Sequence, residues 1–346
     1  MGFISDSISG TTISGGSFND LNLGLGAGSI STNIAIGSGT LSSNTYGTYN
    51  TALGSDALKN NTTGNYNVAL GYSALKYFQS SGNVAFGQNA LKGQKIYNNY
   101  TYTYDYSTGA NNIALGPSAL QNNTTGTDNI ALGPSALQNN TTGNYNVALG
   151  QSALLSNTTG NYNVALGQSA LQQNTTGNNN IGLGLNALNQ NTTGQYNIAL
   201  GYNTLRYNTT GGYNTALGSN ALFFNTTGFD NVALGQNTLT SNTTGYNNVA
   251  LGQSALRLNT TGNNNIAQGY KALYSNTTGY KNVALGLSAL QANTTGFDNV
   301  ALGQKSLMNN SYGYENVAIG ASSLYNNTTG GGNTSIGTNS LRGNTT

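Results

Sequence analysis

The chain has 346 residues, with 49 Gly, 2 Pro and no Cys, His or Trp. Only 5% of its residues are charged, against about a quarter in an ordinary globular protein, so its surface must be solvated by Asn, Thr, Ser, Gln and Tyr. A net charge of +2 excludes the basic footprint of a nucleic-acid or anionic-membrane binder, and no apolar run is long enough to span a bilayer.

Residues 1–32 are rich in Gly and Ser and lie outside any repeat, which suits a cap or an attachment segment. The opening MGFISDSISG lacks the basic and apolar regions of a secretory signal. It also misses the myristoylation pattern, because Asp6 stands where Ser or Thr is required. The expectation is a chain that is intracellular or is released by a route other than secretion.

From residue 33 to 346 the sequence repeats a single phrase. Asn followed by Val/Ile/Thr, a small residue, a large residue and Gly recurs at Asn33, Asn50, Asn67 and Asn83. It returns at Asn112 and Asn129 and continues with the same 17-residue period to Asn333. Two intervals depart from that period, a slightly shorter one from Asn67 to Asn83 and a long one from Asn83 to Asn112. Four residues after each Gly comes a Leu, from Leu41 to Leu341. A repeat this short cannot bury its own apolar side chains, so copies must stack. About 18 coils at about 4.8 Å each predict an all-β solenoid or β-roll roughly 85 Å long.

Within one copy, Asn146 to Gly150, the period of two predicts a short strand. Val147 and Leu149 are expected to point inward with Leu154, joined in the next coil by Val164, Leu166 and Leu171. Asn146 and Ala148 are expected to point outward, with the Asn residues forming a side-chain ladder. Gly150 and Gly167 mark a corner that needs positive φ, and NTTG supplies turn chemistry. Pro117 and Pro134 directly follow the repeat Gly, where no ladder N–H is required. The core so built is thin. Further burial against other chains, across the flat outward row of Ala148, Ala165 and Ala199, predicts a homotrimer. In this scheme Gln268, in NIAQG, is a buried amide in need of a partner.

The long interval carries an insertion of about 12 residues within 93–109. Tyr97 opens it, and Tyr100, Tyr102, Tyr104 and Tyr106 then alternate strictly, which predicts four rings on one face of a strand or hairpin arm. Such an arm serves either as a contact for a glycan or a protein, or as packing against its own shaft or a neighbouring subunit.

Nothing in the composition supports catalysis. The eight carboxylates are scattered, and Asp128, Asp230 and Asp298 share one phase of the repeat but lie whole coils apart. No Gly-Lys-Ser/Thr turns the glycines into a phosphate loop. The expectation is no enzyme, no catalytic residue, no metal and no cofactor. Asn-Thr-Thr triplets at Asn61, Asn123, Asn140 and onward to Asn327 are formal glycosylation acceptors, but NTTG explains itself mechanically as a turn and is read as one.

NVAIGASSL at 316–324 and NIAIG at 33–37 resemble the head repeat of trimeric autotransporter adhesins. ALGYSALKY followed later by NTTGNYNVALG resembles repeat regions of phage and large-virus tail-fibre proteins. The resemblance covers about residues 33–346. It implies a homotrimeric β-rod in a virion, a stiff shaft for attachment or host-surface contact. Residues 1–32 would join other virion proteins, and a host glycan or surface protein would be the distal partner, with no nucleic acid and no membrane insertion. A bacterial cell-surface or secreted adhesin is the other implied role. This repeat differs from the adhesin repeat in being longer, so the coil shape need not carry over.

Overall fold

The computed structural model describes residues 16–18 and 21–346. Most of the proposed 1–32 attachment segment therefore lies outside the described residues. Two compact units are present, one running to Ser135 with Asn140–Thr142, the other Ala136–Asn139 with Gly143–Thr346. No helix occurs among the described residues, and both units are parallel β-solenoids built on the 17-residue period.

In the first unit β1 (Gly16–Phe18) pairs antiparallel with β2 (Leu21–Gly24), and β2 pairs antiparallel with β3 (Ile34–Ile36), the first coil strand. That covers an edge otherwise left open. Coil strands β4 (Thr51–Leu53), β5 (Val68–Leu70) and β6 (Val84–Phe86) follow in parallel register. Strands β7 (Lys95–Asn98) and β8 (Thr103–Tyr106) form a separate antiparallel hairpin. The stack then resumes at β9 (Ile113–Leu115), paired directly with β6, and continues to β10 (Ile130–Leu132). The second unit holds the twelve strands from β11 (Val147–Leu149) to β22 (Thr334–Ile336).

Each coil strand is only three residues long, yet the backbone ladder continues around the coil. Val147 N donates to Asn163 O at 2.8 Å, Leu154 N to Ala170 O at 3.0 Å and Thr158 N to Thr175 O at 2.9 Å. Like residues face like: Val147 pairs with Val164, Ala148 with Ala165 and Leu149 with Leu166.

The two faces of the strand are the reverse of the expected ones. Ala148, Ala165 and Asn146 are fully buried, whereas Val147, Leu149, Val164 and Leu166 are half-buried on the outer side. Leu154 and Leu171 do lie inside, as expected. The period of two separates the faces without saying which is inside, and a one-residue slip inverts both. Width decides here. Gly182 replaces the strand Ala, and a methyl on it would lie 3.4 Å from Leu171 Cγ and 3.3 Å from Ala187 O. The interior accepts one methyl at that position and has no depth for Val or Leu. Gln268 accordingly sits on the outer face, exposed to solvent, and has no burial to compensate.

Two ladders of Asn satisfy the polar interior. In the first, Asn163 Nδ2 donates to Asn146 Oδ1 at 3.1 Å and to Gly177 O at 2.8 Å. Asn163 Oδ1 in turn accepts from the backbone N and from Nδ2 of Asn180. The second ladder uses the first residue of NTTG: Asn174 Nδ2 donates to Asn157 Oδ1 at 2.8 Å and to Gly177 O at 3.0 Å. Buried amides cost little once every site is paired, and these are.

The corner glycines are required twice over. Gly150 and Gly167 have φ of 131° and 128°, and a Cβ on Gly167 would lie 2.7 Å from Gly184 O in the next coil. Left-handed geometry also falls on larger residues: Ser152 and Tyr162 both have φ of 57°, and the buried Leu154 has φ of 51°. Each costs about 1–2 kcal/mol, and every coil turns on such positions.

Candidate functional site

The hairpin arm is the first candidate surface. Tyr100 and Tyr102 fall in its turn rather than on a strand, with Tyr102 at φ 55°. Four rings on one strand face therefore do not form. Instead Tyr97 pairs across the hairpin with Tyr104, ring centroids 5.2 Å apart and edge-to-face, and Lys95 pairs with Tyr106. Lys95 Nζ sits 4.0 Å from the Tyr104 ring centre, a cation–π contact that completes this face. The turn rings are the free ones, Tyr100 at 95% and Tyr102 at 79% exposure.

The base of the arm is built from substitutions in the repeat. Phe78 stands where Asn61 stands one coil earlier, and it is fully enclosed. Ser107 N donates to Tyr77 O, Ser107 Oγ donates to Asn123 O, and Gln94 N donates to Ser107 Oγ at 2.9 Å. Nearby in the same unit Asp56 bridges Lys76 at 2.8 Å and Lys59 at 2.9 Å. The hydrogen bond from Lys76 holds the Asp56 carboxyl below its ordinary range against the opposing effect of burial, and the same bond raises Lys76.

Among the described residues no group of three His, Cys, Asp or Glu could hold a metal ion. Asp128, Asp230 and Asp298 are each left-handed, with φ of 55°, 53° and 52°. Their common phase reflects a backbone position that tolerates Asp and Asn. Asp128 accepts from Asn111 Nδ2 at 3.2 Å, and Asp230 belongs to the second candidate site.

The recess at that second site was not anticipated from the sequence. Tyr145 stacks on Tyr162 and Tyr196 on Tyr213, each one residue before the repeat Asn, with centroids 5.0 and 4.9 Å apart. From Phe229 onward the aromatic residues stand two before the repeat Asn: Phe229 stacks on Tyr246 at 4.9 Å, and Tyr280, Phe297 and Tyr314 follow. At the switch between the two columns lies a recess of about 410 Å³. It is lined by Gly212, Tyr213 and Phe229 together with Thr193, Gln195, Thr210 and Asp230. The readable signal was the change of aromatic phase combined with Gly212 directly before the second column begins.

The third candidate is the outer face of the strands. Val/Ile/Thr and Leu/Ile/Phe/Gln project from positions one and three of every coil strand, and several are well exposed, including Leu217, Leu234, Ile266 and Ile319. In the second unit they form two rows over twelve coils, the first broken by Thr215 and Thr334 and the second by Gln268.

No helix among the described residues is long and apolar enough to cross a membrane. No protein-family model matches the chain, and no curated protein matches it.

Proposed function

We propose that the chain is a structural fibre protein, a stiff homotrimeric shaft of a virion or phage tail used for attachment or host-surface contact. The observation that carries this reading is the pair of outward aliphatic rows. Twelve strands at about 4.8 Å make a largely aliphatic stripe more than 50 Å long in the second unit, with Thr215, Gln268 and Thr334 each breaking one of its two rows. Contiguous apolar patches of this extent mark interaction surfaces, and identical chains carry identical stripes. The support for association thus moves from the Ala row, which is inside, to the Val and Leu rows. The resemblance of NVAIGASSL and NTTGNYNVALG to adhesin and tail-fibre repeats is the ground for the virion role, with a cell-surface adhesin as the second reading.

Native mass measurement tests the assembly. Three chains per particle are expected, and the triple substitution Leu217→Asp, Leu234→Asp, Leu251→Asp should release folded monomers. A wild-type chain that stays monomeric and soluble at high concentration would overturn the shaft.

A further inference from the structure

We propose that the recess at Gly212 binds one pyranose ring of a neutral glycan. Consider the position two residues before the repeat Asn in four successive coils: Gln195, Gly212, Phe229, Tyr246. Phe229 lies parallel to Tyr246, 4.9 Å away and inclined by 2°, so one of its faces is used. Its other face looks toward the coil of Gly212, which has no side chain. Successive coils are one strand spacing apart, about 4.8 Å, which is also a ring-stacking distance. A ring placed over Gly212 would therefore continue the column.

The main chain forms the floor of this slot. The atoms nearest to a methyl on Gly212 would be Gln195 O at 3.1 Å and Gln195 N at 3.7 Å. Gly331, in the same phase, offers no such slot, because a methyl there would meet the Tyr314 ring at 2.7 Å. The rim around Gly212 is polar and exposed: the hydroxyls of Thr193 and Thr210, the amide of Gln195 and the carboxylate of Asp230.

One apolar face surrounded by donors and acceptors suits a ligand that is itself amphipathic. A pyranose has that character, with C–H groups on its face and hydroxyls around its edge. The amide both donates and accepts, and the carboxylate accepts from two hydroxyls. A plain aromatic ring would stack but leave the rim unused. A cation would use Asp230 and the rings but neither Thr. The volume holds one sugar ring with room for the start of a second. This site does not depend on the fibre reading.

Saturation-transfer NMR on the full chain in its native assembly tests it, with a panel of methyl hexopyranosides alongside choline and phenol. At least one hexopyranoside should show transfer, strongest at its ring C–H protons. Gly212→Gln fills the floor with the side chain that the preceding coil carries, in a place where Asn161, Asn178 and Gln195 already fit. It should weaken binding about tenfold, as should Phe229→Leu, the loss expected of one ring contact. Tyr145→Leu, in another stack, should leave binding unchanged. If Gly212→Gln disturbs folding, Phe229→Leu alone decides. No transfer from any hexopyranoside, equal transfer in both recess variants, or stronger binding of choline or phenol than of every sugar would overturn the proposal.

Discussion

The regular coils of 147–336 and the irregular interval of 76–110 use the two Asn ladders differently. In the regular coils both ladders run side by side, each amide bonded to its counterpart 17 residues away. In the irregular interval the first ladder persists although the spacing does not. Asn83 N donates to Asn67 Oδ1 across 16 residues, and Asn112 N donates to Asn83 Oδ1 across 29. The second ladder is interrupted there: Phe78 fills one place, and Ser107 closes the turn. Asn83 Nδ2 keeps its bond to the turn glycine, Gly109 O at 3.1 Å, and adds Ser80 Oγ as a further acceptor at 3.1 Å. The first ladder is thus a spine that outlasts changes of loop length, and the second is a fastening that a buried ring and two hydroxyls replace.

The most severe way to disturb the regular region is to separate its coils. Gly167→Ala places a Cβ 2.7 Å from Gly184 O at a φ of 128°, and both faults must be relieved by moving main chain. A loss of about 3 kcal/mol is expected, read as faster hydrogen exchange in the coils on either side; unchanged exchange would show that stacking is looser than described.

The ladders themselves come next. Asn163→Ala strands Asn180 N and removes two acceptor bonds and two donor bonds, for about 2–3 kcal/mol. Asn174→Ala removes a smaller set, because Gly177 O keeps its bond from Asn163, and about 1 kcal/mol is expected. Equal losses measured by urea titration of the two variants would erase the distinction between spine and fastening.

Smaller and opposite in sign is Gly182→Ala. It restores the strand Ala at contacts of 3.3–3.5 Å, and about 1 kcal/mol of added stability is expected from chain entropy and burial. Destabilisation in the same titration would mean the interior is narrower than one methyl at this coil.

The smallest effect should come from deleting 95–106. Val84, Ala85 and Phe86 already pair with Ile113, Ala114 and Leu115, so the stack does not need the arm. Circular dichroism and exchange in the flanking coils should change little, within about 0.5 kcal/mol. Collapse of β6–β9 protection on deletion would make the Lys95–Tyr104 face structural.

The period, the strand at Val147–Leu149, the first Asn ladder, the corner at Gly150 and the inward Leu154 were all legible in the sequence, because each recurs at fixed spacing with a distinct residue type. The identity of the inner face was not. Val-Ala-Leu is apolar at every position, and Asn146 looks like a surface residue until its partners in the neighbouring coils are known. The same error misplaced Gln268. Turn chemistry hid the second ladder, since NTTG accounts for itself locally. Alternation among Tyr100, Tyr102, Tyr104 and Tyr106 gave the arm but not its turn, which begins just where the alternation does. The recess at Gly212 needed two columns of rings to be compared, and pattern matching within one coil never compares them.

The second ladder bears on how such a chain would behave where oligosaccharides are attached to Asn-Thr-Thr. In Asn157 and Asn174 the acceptor nitrogen is the same Nδ2 that donates to Gly160 O and Gly177 O, and both residues are fully enclosed. A sugar on that nitrogen needs a bulky path to solvent that the stacked coils do not have. Modification and coil closure are then rival fates of one amide, decided in a race as the chain is made. Fast closure yields a bare protein despite its many acceptor triplets, and a triplet caught early yields a coil that cannot join its neighbours.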